Sequence, residues 1–578
     1  MRRFLASGFI IALASFTAAA APLRPGEVVS GAAATRVDDY LQRLVPFGFS
    51  GAVLIARDGQ VVLKRAYGLA DKAANRPYTV DMVSCIGSVT KQFTGAAIVK
   101  LQELGKLRVT DPIAKYLPNV PADKQAITIH HLLTHTAGLS PDMGGADEEP
   151  ITRDALLAKV LAAPLDSKPG EQFAYSNEGY SLAAMIVERV SGQSYETFLR
   201  EQLWTPAGMN ETGYLQPAAP LERRPLGYRE NGEPWGRVYK NGWLPDGPGW
   251  YLRGNGGVQS TPDDLYKWHL ALLTPGKVLS AASLDTYLTG YAPTPSGEKY
   301  AYGWGVQKTA RNTTLITHNG GNGYLFADFR RYIDEKTVII AMSNEPVIPA
   351  PQLAPRQIDP LFFNASPSVV MPPAVTPVPA DAAAAHAGTY TLDGGGTLTI
   401  AVKNGAMTAQ ATDPTLVGSI PGLVPPGGRN AAREQETMTL VAAQAKGDFT
   451  PFWAAFKDER PFEVVQGNQT RFWGDWRRQH GEFVRAELLG SAPIQGDIAA
   501  VVRLQFERGS EIVQYAWGPR RLLGFVFGAA GAPVPLMSES ANVWLSFSYR
   551  GNSLVRVSFD GDRVTVSTGA LTKTGRRS

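Results

Sequence analysis

Two strand-rich stretches far apart in the chain constrain its fold more than any other feature. Near the start, "GAVLIARDGQVVLKRAYG" (51–68) holds two apolar runs around Asp58-Gly59, a two-residue hairpin signal. Much later, "TTLITHNGGNGYLFADFRRYIDEKTVIIAMSN" (313–344) reads as three strands in succession. The sequence between them has helical character. In "CIGSVTKQFTGAAIVKLQELG" (85–105), Phe93, Ala97, Leu101 and Leu104 fall at helical spacing, and Gly105 is a terminator. "TDPIAKYL" (110–117) reads as a further helix start, with Asp111 as cap and Pro112 in the first turn. Helices between two strand clusters predict an α/β (α+β) unit over residues 28–350. Its antiparallel sheet is assembled from both ends, and a helical subdomain lies between.

Beyond this unit the composition changes. "EPVIPAPQLAPRQIDP" and "SPSVVMPPAVTPVPADAAAA" are rich in proline and alanine, so residues 351–385 read as a linker. From residue 386 to 578, stretches such as "AGTYTLDGGGTLTIAVKNGAMTAQA" and "NVWLSFSYRGNSLVRVSFDGDRVTVS" alternate like strands with Gly-rich turns. No long amphipathic helix stands out, and the expectation is a separate all-β domain, a barrel or sandwich.

The first residues, "MRRFLASGFIIALASFTAAAAPL", have the form of a secretory signal. Arg2 and Arg3 supply the positive end, the apolar run is too short to span a bilayer, and Ala18 and Ala20 form an A-x-A site. Residues 1–20 are therefore expected to be removed, and the mature protein to be periplasmic or secreted with no stable membrane span. Net charge is +4 with no dense basic run, which argues against a nucleic-acid partner. Cys85 is the only cysteine, so no internal disulfide can form. It reads as a small buried thiol.

The chemistry-bearing pattern is "SVTK", Ser88 to Lys91. Residues three apart on a helix share one face, so hydroxyl and amine can meet there. The Ser88 N–H would lie at the positive end of the helix, where an oxyanion is favoured. The bland alternative is an N-cap serine. A second match, "SGEK" from Ser296 to Lys299, lies in a Pro/Gly-rich loop where nothing fixes the geometry. In "PGEQFAYSNEGYSLAAMIVERVSG", Tyr175 and Asn177 stand at a strand-to-helix corner; another Tyr-x-Asn, Tyr239 to Asn241, lies in a loop and is set aside. His131 and His135 are four apart, but Leu132 stands where a zinc protease has glutamate, so no metal is expected. No G-x-S-x-G elbow occurs.

"SVTK" and "YSN" together resemble the serine β-lactamase and penicillin-binding-protein superfamily. The resemblance is to the class C-type branch, with its D-aminopeptidases and family VIII esterases. "ITIHHLLTHTAGL" (127–139), "GNGGVQSTPDDLYKW" (254–268) and "YGWGV" (302–306) are similar to that branch too, over roughly residues 36–346. The literal "KTG" at Lys573 lies in the β domain, so the counterpart of the family's third motif is "HNG", His318 to Gly320. The resemblance implies Ser88 as nucleophile, with Lys91 and Tyr175 as a coupled base. Asn177 would orient Lys91, and the N–H groups of Ser88 and Gly321 would form an oxyanion hole. Asn319 and Gly320 would contact substrate, and no cofactor is required. Histidine in place of lysine weakens the hold on a substrate carboxylate, which favours an esterase or D-aminopeptidase-like hydrolase on a small molecule or peptide, cell-wall fragments included. The alternatives are a beta-lactamase or DD-carboxypeptidase and, in another class, a non-catalytic peptidoglycan-binding or sensor protein. The β domain resembles appended lipocalin-like barrels and is expected to place a loop over the active-site mouth.

Overall fold

The computed structural model describes residues 22–578, apart from 141–145, 217, 230–231, 365, 404–405, 412–415, 417–429, 457–461, 495–496, 519–520, 528–533, 550–551 and 569–570. The signal-like segment up to Ala20 lies outside the described residues.

A nine-stranded antiparallel sheet is built from both ends of the hydrolase-like unit. Its order is Val28–Val29, Gln60–Tyr67, Gly51–Arg57, Thr337–Ser343, Phe326–Tyr332, Thr314–Gly321, Gly305–Lys308, Lys299–Tyr300 and Ala292–Pro293. Asp58 and Gly59 both take positive φ (50° and 77°), the backbone a tight hairpin needs. The central strands read as unbroken apolar runs because both faces are covered. Along Thr337–Ser343, Val338, Ile340 and Met342 enter one core, while Ile339 and Ala341 enter the other. Helices Lys91–Glu103, Asn177–Ser191 and Pro262–Leu272 build the first core. Helix Ala32–Leu44 and the helical stretch 350–363 build the second. Lys91–Glu103 is buried on nearly every side, so it carries Gly95, Ala96 and Ala97 where neighbours come close. A Cβ on Gly95 would lie 2.3 Å from the Tyr302 carbonyl oxygen.

Two local expectations differ from the structure. After Asp111 the chain makes a single 3₁₀ turn, Ile113–Lys115. The Asp111 carboxylate is occupied by the Arg108 N–H and the Tyr116 hydroxyl rather than by a helix start. The proline-rich stretch expected as linker begins as part of the folded unit, with Leu353, Ile358, Leu361 and Phe362 buried.

The C-terminal region holds a closed antiparallel barrel of eight strands, from Gly388–Leu392 to Leu571–Arg577, closed where Leu392 pairs with Gly575. Side chains such as Tyr390, Leu398, Trp544, Val557 and Val566 fill it. Between Ala406–Ala411 and Val534–Ser540, however, the region is not all-β. Helices Ala431–Ala445, Thr450–Phe456 and Phe462–His480 pack on a four-stranded sheet spanning Phe483–Ile494 to Leu522–Phe527. The first of these helices is hard to see because its buried face is partly polar. Glu434 accepts from Ser491, Thr437 from the Trp517 indole, and Gln444 from Tyr515. Satisfied polar groups replace the apolar stripe that marks an amphipathic helix.

The barrel docks through Tyr549 and Phe547. The Gln357 amide donates to the Tyr549 carbonyl at 2.7 Å, and Phe547 meets Tyr40 and Phe47 edge-on or tilted. This contact is on the core opposite the Ser88 helix.

Candidate active site

The chain bends sharply before the buried helix. Cys85 pairs with Gln259 in a two-stranded ladder, Gly87 takes φ 50°, and the 3₁₀ turn Gly87–Thr90 leads into Lys91. Ser88 lies inside the turn, whose N-cap is Ile86, and the helix N-cap is Thr90, so the N-cap reading falls away. Its hydroxyl instead faces Lys91, 3.0 Å from Nζ.

Lys91 is fully buried and has two further partners, the Asn177 Oδ1 at 2.8 Å and the Asn255 carbonyl oxygen at 2.9 Å. Both of these can only accept. A neutral amine would donate its two hydrogens to them and turn its lone pair toward the Ser88 hydroxyl. Burial lowers the ammonium pKa to about 7, against the opposing pull of Asp147 and Glu178. Tyr175 faces Ser88, but burial pushes its phenol well above 10. It lies under Lys91, whose Nζ is 4.7 Å from the ring centre. Of the expected pair, Lys91 is therefore the group that loses its proton near neutrality.

Asn177 begins helix Asn177–Ser191, and Ser176 is its N-cap, accepting from Gly179. Asn255 is missed in the sequence reading because it acts through its carbonyl. Its amide donates to Ser181 and to the Tyr251 carbonyl, which fixes that orientation. Arg253, bidentate to Asp246, braces the same loop.

The strand Thr314–Gly321 runs past the Ser88 turn at minimal separation. A Cβ on Gly87 would lie 2.2 Å from the Gly321 nitrogen, and one on Gly320 would lie 2.4 Å from the Ser88 nitrogen. Only glycine at these two positions lets the Ser88 and Gly321 backbones meet. Gly320→Ala is expected to push strand and turn apart and to lower kcat by about 100-fold or more, the size of one lost oxyanion donor. Steady-state kinetics beside a thermal melt would check this.

His318 is a neutral ring, its pKa lowered by burial and by Lys91. Its Nδ1 is 2.6 Å from the Asn319 carbonyl oxygen, so Nδ1 carries the hydrogen. Nε2 is then the acceptor for the Tyr300 hydroxyl at 2.8 Å. Both nitrogens are committed. Tyr300, a second group missed in the sequence reading, stands in "EKYAYGWG" beside a block that carried the resemblance. The two zinc-like histidines take separate places. His131 closes a capping box with Thr128, while His135, at φ 58°, packs its ring at a tilt against Tyr175 and accepts from the Ser176 N–H. Cys85 is buried, and its thiol is pushed up to about 12 by burial.

Two pockets meet at Ser88 and Gly321. One has about 470 Å³ of empty space, and its walls include Cys85, Asp147, Asn177, Trp235, Trp243 and Asn255. The other, wider and more open, is walled by Phe173, Tyr175, Glu298, Tyr300, His318 and Asn319. Two residues set aside on sequence also reach the cleft. Asn241 lines the first pocket, and Ser296 lines the second while bonding Thr294 rather than Lys299. Every described lining residue of both pockets lies between Cys85 and Asn322, so none of the described barrel residues lines them. "KTG" lies in the last barrel strand, paired with Val564 to Val566.

A model of the beta-lactamase family matches residues 38–360. The chain belongs to the beta-lactamase family. Members of this family are serine hydrolases. The chain is 30% identical over 318 residues to penicillin-binding protein 4* of Bacillus subtilis, covering 51% of this chain and 68% of that one. It is 32% identical over 280 residues to the D-alanyl-D-alanine-carboxypeptidase/endopeptidase AmpH of Escherichia coli, covering 46% and 69%. The fold is similar to that of an octameric penicillin-binding protein homologue from Pyrococcus abyssi. That likeness has a TM-score of 0.52 at 19% identity and spans 93% of this chain and 98% of that one. The beta-lactamase-family match ends before the barrel, whereas this fold likeness extends into it.

Proposed function

We propose that this beta-lactamase-family chain is an exported acyl-transferring hydrolase that cleaves an ester or amide bond through an acyl-enzyme on Ser88. The observation that carries the reading is the setting of Lys91: a buried amine with two pure acceptors for its hydrogens and the Ser88 hydroxyl 3.0 Å away. Lys91 takes the Ser88 proton as Oγ attacks the carbonyl carbon. The oxyanion lies between the N–H groups of Ser88 and Gly321. The proton passes to the leaving group, which departs as the C–O or C–N bond breaks. Water then attacks the ester on Ser88, and the hydroxyl is restored. Asn177 holds the amine and faces the substrate, with Asn319 and Gly320 along the other edge. Export follows from the signal-like N-terminus and would place the enzyme in the periplasm or outside the cell.

The leaving-group side favours esters and amides over peptides ending in a free carboxylate. Its walls carry neutral His318 and the partly buried Glu298, and no lysine or arginine among the described residues. The names of the relatives point to carboxypeptidase or penicillin chemistry, which is the competing reading. Turnover of p-nitrophenyl acetate and butyrate, nitrocefin, and D- and L-Ala p-nitroanilides by the mature protein separates them. Ester or anilide turnover is expected to exceed that of nitrocefin. A dominant nitrocefin activity would favour a beta-lactamase. Binding of muropeptides with no turnover at all would favour a binding protein.

His318→Lys supplies the missing cation. The preference for a peptide with a free leaving-group carboxylate over its amide is expected to rise about tenfold, the worth of one charge-assisted contact. An unchanged ratio of kcat/KM values would show that this wall does not read the leaving group.

A further inference from the structure

His135 follows the short helix Ile129–Leu133 and combines features that a fold does not keep without reason. Its backbone is left-handed, a region that residues other than glycine seldom adopt. Its ring is buried and neutral, with burial first, then Lys91 and His318, holding its pKa well below 6.5. Nδ1 accepts the Ser176 N–H at 3.0 Å, so the hydrogen of the neutral ring is on Nε2. That buried Nε2 has no hydrogen-bond partner among the described residues, which is rare for a buried donor. What these features secure is the corner Ala174–Asn177. The segment 174–176 lies in none of the described strands, yet two of its N–H groups are held. The Ala174 N–H donates to the His135 carbonyl at 2.8 Å and the Ser176 N–H to the His135 ring. One residue thus acts as a strand partner on both sides of Tyr175. Its ring centre is 4.2 Å from that of Tyr175, 4.6 Å from Tyr300 and 5.1 Å from Tyr180. Tyr175 faces Ser88, Tyr300 donates to His318, and Asn177 accepts from the Lys91 amine.

We propose that His135 is a positioning residue for the reaction at Ser88: its Nδ1 and its carbonyl fix the Tyr175–Asn177 corner, and through Asn177 they fix the Lys91 amine. This rests on the hydrolase reading with Lys91 as the base. His135 itself touches no reacting atom and exchanges no proton. Its ring also helps to keep water from Lys91. The groups that face or act on Lys91 are the Tyr175 and Tyr180 rings, 4.7 and 5.7 Å from Nζ, the carboxylates of Asp147 and Glu178, and the imidazoles of His135 and His318. Burial outweighs the two carboxylates in setting the Lys91 pKa, so removing the ring and admitting water raises it.

The test compares His135→Ala, His135→Asn and His135→Gln with wild type on p-nitrophenyl butyrate, using the full-length mature protein. Asparagine puts an acceptor oxygen close to the place of Nδ1 and tolerates the left-handed backbone; glutamine carries the same amide but reaches toward the place of Nε2. His135→Ala is expected to lose about 10- to 100-fold in kcat with KM within about threefold, the signature of a displaced catalytic group rather than of lost substrate binding. His135→Asn should recover most of that loss and His135→Gln little of it. In His135→Ala the midpoint of the pH profile of kcat/KM should also rise, by about one pH unit from the wild-type value. If His135→Ala does not fold, the difference between the asparagine and glutamine variants decides. Equal kcat in those two, or wild-type kcat and midpoint in His135→Ala, would overturn the assignment while leaving Ser88 chemistry intact. So would a loss in His135→Ala that asparagine does not recover and that leaves the midpoint unmoved, since a merely structural role predicts that. Absence of wild-type turnover on every ester and anilide would remove the hydrolase reading and this proposal with it.

Discussion

Replacing Ser88 with alanine is expected to lower kcat/KM on p-nitrophenyl butyrate by about 10⁴-fold or more, with the fold intact. Ser88 lines both pockets, and its hydroxyl is 3.0 Å from the Lys91 amine. Its neighbours lose little when it goes. Ser88 caps no helix, and Lys91 keeps its bonds to Asn177 and Asn255. A thermal melt close to that of the wild type beside absent turnover is therefore the expected pair of results. Turnover that persists would move the chemistry elsewhere in the cleft, with Ser296 on the leaving-group wall as the next hydroxyl to test.

Lys91→Met is the second large effect, a loss of about 10²- to 10⁴-fold in acylation, the range of a general base. The pH profile gives the same assignment independently. A base works only when neutral, so kcat/KM should rise tenfold per pH unit below about 7 and level off above it, following the lowered Lys91 pKa. Tyr175 lies well above its usual range and should add no rise between pH 7 and 10. A rise centred near 10 would make Tyr175 the base instead. Stability carries a matching sign. Between about pH 7 and 10.5 the unfolded chain holds a proton on Lys91 that the folded chain does not. The cost of burying this lysine is thus greatest below pH 7 and fades as pH rises to 10.5. The Tm of Lys91→Met relative to wild type should accordingly be more favourable at pH 6 than at pH 9.

The parts of the molecule that are legible in sequence are those whose signal is local. The Asp58-Gly59 hairpin, the strands 314–321, 326–332 and 337–343, and the helix after Ser88 each carry their own periodicity or turn residues. Ser88 and Lys91 are readable because one helical turn joins them. Asn255 is not, because a carbonyl acts there and any residue type has one. Tyr300 and His318 are 18 apart, on strands with Gly305–Lys308 between them in the sheet, and their bond exists only once the sheet forms. Asp147 and Glu148 look like ordinary surface acids until the loop brings them to the mouth of the Ser88 pocket. The helices inserted in the barrel are obscured by a buried face that includes Glu434, Thr437 and Gln444. The described part of the barrel docks through Tyr549 on the core opposite the Ser88 helix, a contact between residues 192 apart in the chain that no local pattern announces.

The most direct test of the account is the mass of the protein caught in mid-reaction. Mature protein mixed with p-nitrophenyl butyrate or a penicillin and quenched in acid within milliseconds to seconds should gain the mass of one acyl group. Peptide mapping should place that group on Ser88, and the Ser88→Ala protein should gain none. Acylation of another residue, or steady turnover with no acylated protein at any quench time and no effect of Ser88→Ala, would contradict it.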